Sequence, residues 1–316
     1  MSKQCVSFVI PCYRSGQTIG GVVEELKNTM QAMSDYEYEV IMVNDCSPDN
    51  TFEVIQELCR RHDNMTGINL ARNFGQHAAL MAGFHYVSGD IVICLDDDGQ
   101  TPPCEAGKLL RGIADGADVV YARYEHKQHS FFRRFGSGVN ERMTRVMLGK
   151  PKELYLSSYF AVKRFVVEEM IKYEYSYPYV IGLVLRTTQN IINVDVNHRE
   201  RESGTSGYSV GKLFSLWVNG FTAFSVKPLR IATMTGAFCA AIGFLYTIYT
   251  IIKKIFINPP ELVIGFSALI CSIMIIGGML MLMLGLVGEY IGRMYISMNH
   301  SPQFVIRDVI GKKDKG

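Results

Sequence analysis

The sequence predicts an α/β fold with a mainly parallel sheet, followed by a strongly apolar C-terminal part. Three observations predict it. Short β-rich apolar runs alternate with helical patterns between Val6 and Ala122. The ends of three of those runs carry chemically unusual loops. Two long stretches, 231–252 and 262–288, contain no charged residue at all.

Taken in order, the strand candidates are Val6–Ile10, Glu39–Val43, Gly67–Leu70, Ile91–Leu95 and Val119–Ala122. Between them lie helical patterns at Gly20–Met33 and Thr51–Arg61, the second preceded by Asp49 and Asn50 as helix caps. Ser88-Gly89-Asp90 reads as the turn into the fourth strand. From Val210 to Leu229 an aromatic face that includes Trp217, the sole tryptophan, suits an amphipathic helix at a membrane interface or one facing a core.

The two uncharged runs are each long enough to cross a bilayer, which takes about 20 helical residues. Asn258-Pro259-Pro260 separates them, giving a two-helix hairpin. Lys227, Arg230, Arg293, Arg307, Lys312, Lys313 and Lys315 lie on one side against Lys253 and Lys254 on the other. That asymmetry predicts a cell-membrane protein with two spans and a cytosolic catalytic domain. The expected layout is a catalytic domain over 1–209, an interfacial segment over 210–230, a transmembrane hairpin over 231–288 and a C-terminal tail over 289–316.

Composition agrees. Of the 316 residues 48% are hydrophobic, and the mean hydropathy is +0.11. A net charge of +2 gives no footprint for nucleic acid. Eight cysteines stand singly, without zinc spacing or the density of a disulfide scaffold, as in a reducing compartment. No Gly-x-Gly-x-x-Gly follows a strand, and Gly211-Lys212 lacks the rest of a P-loop, which sets aside nicotinamide and ATPase folds.

In open α/β sheets ligands bind beyond the carboxyl ends of the strands. There the chain places Pro11-Cys12-Tyr13, then Asn44-Asp45, then Asp96-Asp97-Asp98-Gly99-Gln100. Asp96 and Asp98, two apart, fall on one side and with Gln100 offer oxygen ligands to a hard divalent cation; a solvated acidic turn is the competing reading. Tyr13 suits stacking on a base, and Asp45 accepts hydrogen bonds from a base or ribose. Asn73 and Gly75 read as turn-shaping residues and His77 as a satisfied structural histidine.

On the segments Val9–Tyr13, Asn44–Asp49, Ala71–Phe84, Asp96–Pro103, Arg199–Tyr208 and Gly288–Arg293, the chain resembles the family 2 glycosyltransferases, and within them the polyprenyl-phosphate glycosyltransferases. The resemblance implies a GT-A-type nucleotide-diphospho-sugar transferase domain and transfer of a sugar from a nucleotide diphosphate sugar, UDP-linked, to a polyisoprenyl phosphate. It implies Mg2+ or Mn2+ at Asp96, Asp98 and Gln100, a nucleotide pocket of Pro11, Tyr13, Asp45 and Asp97, and phosphate ligands Arg123, Arg133, Arg134, Arg201 and Ser206. Arg133 and Arg134 also suit a basic surface beside anionic lipid.

Two departures stand out. Arg14-Ser15 occupies the place of the family's Asn-Glu, and Leu154 that of its acidic catalytic residue, with Glu153 adjacent as a substitute. The partners expected are the two substrates, the lipid bilayer and a second copy of the chain. A processive polysaccharide synthase and a catalytically idle sugar-nucleotide-binding scaffold are the alternatives. Against the first, Trp217 follows Phe214-Ser-Leu where such synthases carry Gln-x-x-Arg-Trp.

Overall fold

In the computed structural model, residues 3–124, 151, 153–197, 265–298 and 302–311 are described, with isolated positions between Met234 and Phe256. The chain divides into two units, Met1–Tyr208 with His300–Gly316, and Ser209–Asn299.

The first unit is an eight-stranded sheet. Its strands are β1 (Gln4–Cys12), β2 (Tyr36–Asn44), β3 (Met65–Leu70), β4 (Ile91–Cys94), β5 (Val119–Tyr124), β6 (Phe160–Lys163), β7 (Ile191–Val196) and β8 (Ile306–Ile310). They run in the order β7-β5-β6-β4-β1-β2-β3-β8. β1 pairs in parallel with β2 and β4, β2 with β3, and β5 with β7, whereas β6 is antiparallel to both its neighbours and β8 is antiparallel to β3. The five strands expected from sequence are all present. β1 and β2 extend farther at both ends, because the flanking residues still find ladder partners.

The helices of this unit are α1 (Ile19–Gln31), α2 (Thr51–Arg61), α3 (Gln76–Phe84), α4 (Ala106–Ala114), α5 (Arg164–Ile171) and α6 (Val180–Thr187). Val6, Phe8 and Ile10 of β1 and Val40 and Met42 of β2 join Val22, Leu26, Ile55 and Leu109 of α1, α2 and α4 in one buried core. Burying each such side chain is worth roughly 1.5–3 kcal/mol. The intervening β1 and β2 residues face α3. Gly83 of that helix lies so close that a Cβ there would meet Val9 Cγ1 at 2.5 Å. The small residue seats α3 against the sheet and aims its N-terminus at the strand ends.

β8 was not expected: the C-terminal tail returns to the sheet and covers the edge of β3, with Asn69 opposite Asp308 and Ile68 opposite Val309. Its three apolar residues, Ile306, Val309 and Ile310, do not alternate, and its partner lies far away in sequence, so no local pattern marks it.

The second unit contains α7 (Gly265–Met298), 34 residues long. Here the expectation of two membrane spans, and of a membrane location resting on them, is corrected. Among the described residues no helix is long and apolar enough to cross a membrane. The run 231–252 is described only at isolated helical positions, so no continuous span is assigned to it. The second run does not keep the bounds of an uncharged span, since α7 continues past Gly288 through Glu289 and Arg293. Lack of charge over a window allows a span but does not by itself define one. The proposed interfacial segment 210–230 lies outside the described residues.

Candidate active site

Above the carboxyl ends of β1, β2 and β4 lies a cavity of about 360 Å3, lined by Pro11, Cys12, Tyr13, Asp45, Asn73, Gly75, Gln76, Ala79, Asp96, Asp97 and Asp98. Six residues singled out from sequence therefore meet in one place. A hollow of about 420 Å3 at the other end of the strands includes Lys163 and Arg164. Those cations are committed to Asp118 at 3.0 Å and Glu168 at 3.0 Å, so it lacks the site's chemistry.

The acidic run follows β4 and turns at Gly99, whose φ of +73° favours glycine. Asp96 accepts from Gln76 Nε2 at 3.0 Å and from the Ser158 hydroxyl. Burial, with the neighbouring Asp98 and Asp97 charges, pushes its carboxyl up to about 6, against the pull of those hydrogen bonds. Asp97 turns toward β1 instead, accepting the Tyr13 N–H at 3.0 Å and the Ser15 hydroxyl. Burial raises it as well. Asp98 Oδ1 accepts the Gln100 backbone N–H at 3.0 Å, and the Asp96 N–H donates to Thr101 Oγ1 at 3.0 Å.

Asp45, 4% exposed, accepts the N–H groups of Phe74 at 2.7 Å and Gly75 at 2.8 Å. These N–H groups belong to the N-cap of α3 and the residue before it, where a carboxylate is also favoured by the helix dipole. Gly75 has a φ of +91° with open space around it, so backbone conformation and not room requires glycine. Asn73 Nδ2 donates to the Asp45 carbonyl at 3.3 Å. Burial pushes the Asp45 carboxyl up, and the two N–H donors oppose that.

Tyr13 is 45% exposed at the cavity mouth, with the Arg14 guanidinium 5.6 Å from its ring centre. Arg14 and Cys46, at the ends of β1 and β2, hold left-handed φ values of +59° and +51°. Such strained non-glycine residues persist only where their surroundings fix them.

The other candidates are placed differently. Arg123 at the end of β5 forms a two-pronged pair with Asp195 of β7, at 2.6 and 2.9 Å, and does not line the cavity. Glu153 is exposed and is not a lining residue, while Leu154 is buried. Gln100 is adjacent to the cavity, not in its wall. Arg133, Arg134, Arg201 and Ser206 lie outside the described residues. Sequence reasoning missed Gln76 and Ser158, both hydrogen-bonded to Asp96, and Tyr124, whose hydroxyl burial and the Asp96 and Asp98 charges push far up. Gln76 does stand inside the Ala71–Phe84 segment, a signal that was available.

Among the described residues no group of three or more His, Cys, Asp or Glu side chains is arranged to hold a metal ion. The oxygen set nevertheless fits Mg2+ or Mn2+. Mg2+ is held by one or two carboxylates and completed by water and substrate phosphates, and crowding of Asp96 by its neighbours is what a cation relieves.

Residues 7–171 match the glycosyl transferase family 2 and residues 227–294 the GtrB C-terminal hairpin. The chain belongs to the family 2 glycosyltransferases, and it is a glycosyltransferase. Over 309 residues it is 32% identical to undecaprenyl-phosphate 4-deoxy-4-formamido-L-arabinose transferase of Proteus mirabilis, covering 98% of this chain and 94% of that one. The corresponding protein of Photorhabdus laumondii is 33% identical over 307 residues, covering 97% and 94%. Among solved structures, glucosyl-3-phosphoglycerate synthase from Mycobacterium tuberculosis with Mn2+, UDP-glucose and phosphoglyceric acid superposes with a TM-score of 0.51 at 17% identity, over 68% of this chain and 76% of that one. That likeness shows the fold.

Proposed function

We propose that this enzyme transfers a sugar from a nucleoside diphosphate, UDP, to a polyisoprenyl phosphate such as undecaprenyl phosphate, with inversion at the anomeric carbon. The observation that carries the reading is the single cavity in which Tyr13, Asp45 and the Asp96–Asp98 run converge. The near full-length similarity to undecaprenyl-phosphate sugar transferases supports the acceptor class.

Tyr13 stacks on the base. Asp45 shapes the pocket wall through Phe74 and Gly75, and each of its oxygens keeps a second lone pair for a nucleotide donor. Asp96 and Asp98, with Gln100, would hold Mg2+ or Mn2+, which when bound supplies positive charge against the departing diphosphate. Gln76 and Ser158 fix the Asp96 carboxylate. Arg123, whose fork is taken by Asp195 outside the cavity wall, is given no phosphate contact in this reading.

The acceptor phosphate oxygen forms its bond to the anomeric carbon as the bond from that carbon to the diphosphate breaks, releasing the nucleoside diphosphate. A phosphate monoester has its second pKa near ~6 and is already largely dianionic at neutral pH. It needs no enzymic base, which accords with a buried Leu154 and an exposed Glu153 outside the cavity wall.

The test is a panel of nucleotide sugars offered to the purified full-length chain with Mg2+ or Mn2+ and undecaprenyl phosphate. The expected product is a lipid-phosphate-linked sugar detected by mass spectrometry. Absence of that product from every donor overturns the proposal and favours a scaffold that only binds sugar nucleotides.

A further inference from the structure

A run of side-chain hydrogen bonds leads from the antiparallel β8 across the carboxyl ends of β3, β2 and β1. Asn69 Nδ2 of β3 donates to Asp308 Oδ2 at 2.9 Å, and Asn44 Nδ2 of β2 donates to Asn69 Oδ1 at 2.9 Å. The Ser47 N–H then donates to Asn44 Oδ1 at 3.2 Å, and the Arg14 N–H, just beyond β1, donates to Ser47 Oγ at 2.9 Å. Asn44 is 3% exposed, so its amide depends on these partners.

The ladder has a direction. A carboxylate only accepts, so Asp308 obliges Asn69 to turn its NH2 outward and its oxygen toward Asn44. Asn44 must then present its own oxygen to Ser47. The far end of the ladder supports Arg14 and Ser47, which flank Tyr13 and Cys46, and both Arg14 and Cys46 hold left-handed backbone. A second link runs in parallel, since the Ala71 N–H donates to the Val305 carbonyl at 2.8 Å and so ties the start of the Asn73–Gly75 wall to the same C-terminal segment.

We infer that Asp308 is a positioning residue for the donor pocket: through Asn69 and Asn44 it sets the loops carrying Tyr13 and Asp45, so that docking of β8 and binding of the nucleoside diphosphate favour one another. The inference rests on the nucleotide reading of the cavity. Linkage then requires reciprocity: whatever β8 contributes to nucleotide affinity, the nucleotide returns as protection of β8.

The experiment titrates UDP, GDP, CDP and ADP, with Mn2+, into the full-length chain and its variants by calorimetry, and follows hydrogen exchange of the amides of 306–310. If wild type binds none of the four, the cavity reading falls and this inference with it. If it binds, Asp308→Ala is expected to raise the Kd of the best nucleotide about fivefold or more, with kcat at saturating donor within about twofold of wild type. Asp308→Asn, which still accepts but no longer dictates direction, falls between. Saturating nucleotide slows exchange of the 306–310 amides in wild type, a readout that does not depend on a variant folding. An unchanged Kd in Asp308→Ala, even with a lowered melting temperature, or exchange at 306–310 indifferent to nucleotide, overturns the inference and leaves the cavity reading standing.

Discussion

Asp45 does structural work that its expected role at a strand end did not include. A carboxylate at a strand end was expected to meet a nucleotide; in the structure its two oxygens first satisfy the open N–H groups of Phe74 and Gly75. Asp45→Ala should therefore lose stability as well as donor affinity, by roughly 1–3 kcal/mol for the stranded donors. Denaturant melts and calorimetry on one preparation check both, and Tyr13→Ala, exposed at the mouth, should lose affinity alone. Asp98→Asn should reduce metal-dependent transfer at least about 100-fold with the fold intact, as expected for loss of a charge that stabilises a leaving group. Steady-state rates with saturating Mg2+ or Mn2+ measure that, and a circular dichroism spectrum guards the comparison. Glu153→Gln should stay within about threefold of wild type, because phosphate chemistry needs no base; a loss matching Asp98→Asn would make Glu153 the catalytic acid residue.

At the scale of elements, the parallel core was legible because β1, β2 and β4 are runs whose apolar side chains announce themselves, and because Thr51–Arg61 repeats with helical period. β6, β7 and β8 were not, being short or only half buried, and set by partners remote in sequence. Gln76, the first residue of α3, and Ser158 escaped for a related reason: a lone polar side chain has no period, and only the packing of α3 and of the segment before β6 brings both to Asp96. Within α3, His77 was expected to be a satisfied structural histidine; it is buried, but not satisfied. Its Nδ1 is buried without a partner, its ring meets Tyr179 edge-on at 5.0 Å, and burial pushes the imidazole down to about 4. The folded protein thus holds His77 neutral where the unfolded chain, with an ordinary value near ~6.5, takes up a proton. Stability from this group is present above about 6.5 and lost as pH falls toward about 4. His77→Asn should flatten that part of the pH dependence by up to roughly 3 kcal/mol. Urea midpoints of both proteins at pH 7 and pH 4.5 measure it; equal falls would show that other groups carry the dependence.

For the whole molecule, composition marked an apolar C-terminal part, whereas the spans drawn from it were not upheld among the described residues. The return of the chain end to the sheet was invisible for a plain reason: Asn69 and Asp308 are 239 residues apart, and no window of sequence contains both. Deleting residues 303–316 should leave β3 as a bare edge, lower the melting temperature and promote self-association, as unpaired strand edges do; light scattering during a thermal ramp reports both. The same separation also has a meaning in time. A ribosome adding about 5–20 residues each second needs roughly 12–48 s to travel from Asn69 to Asp308, so throughout that interval the nascent sheet waits with one flank open. The strands made first are thus completed late, because β3 gains its outer partner only once residues 306–310 have been added.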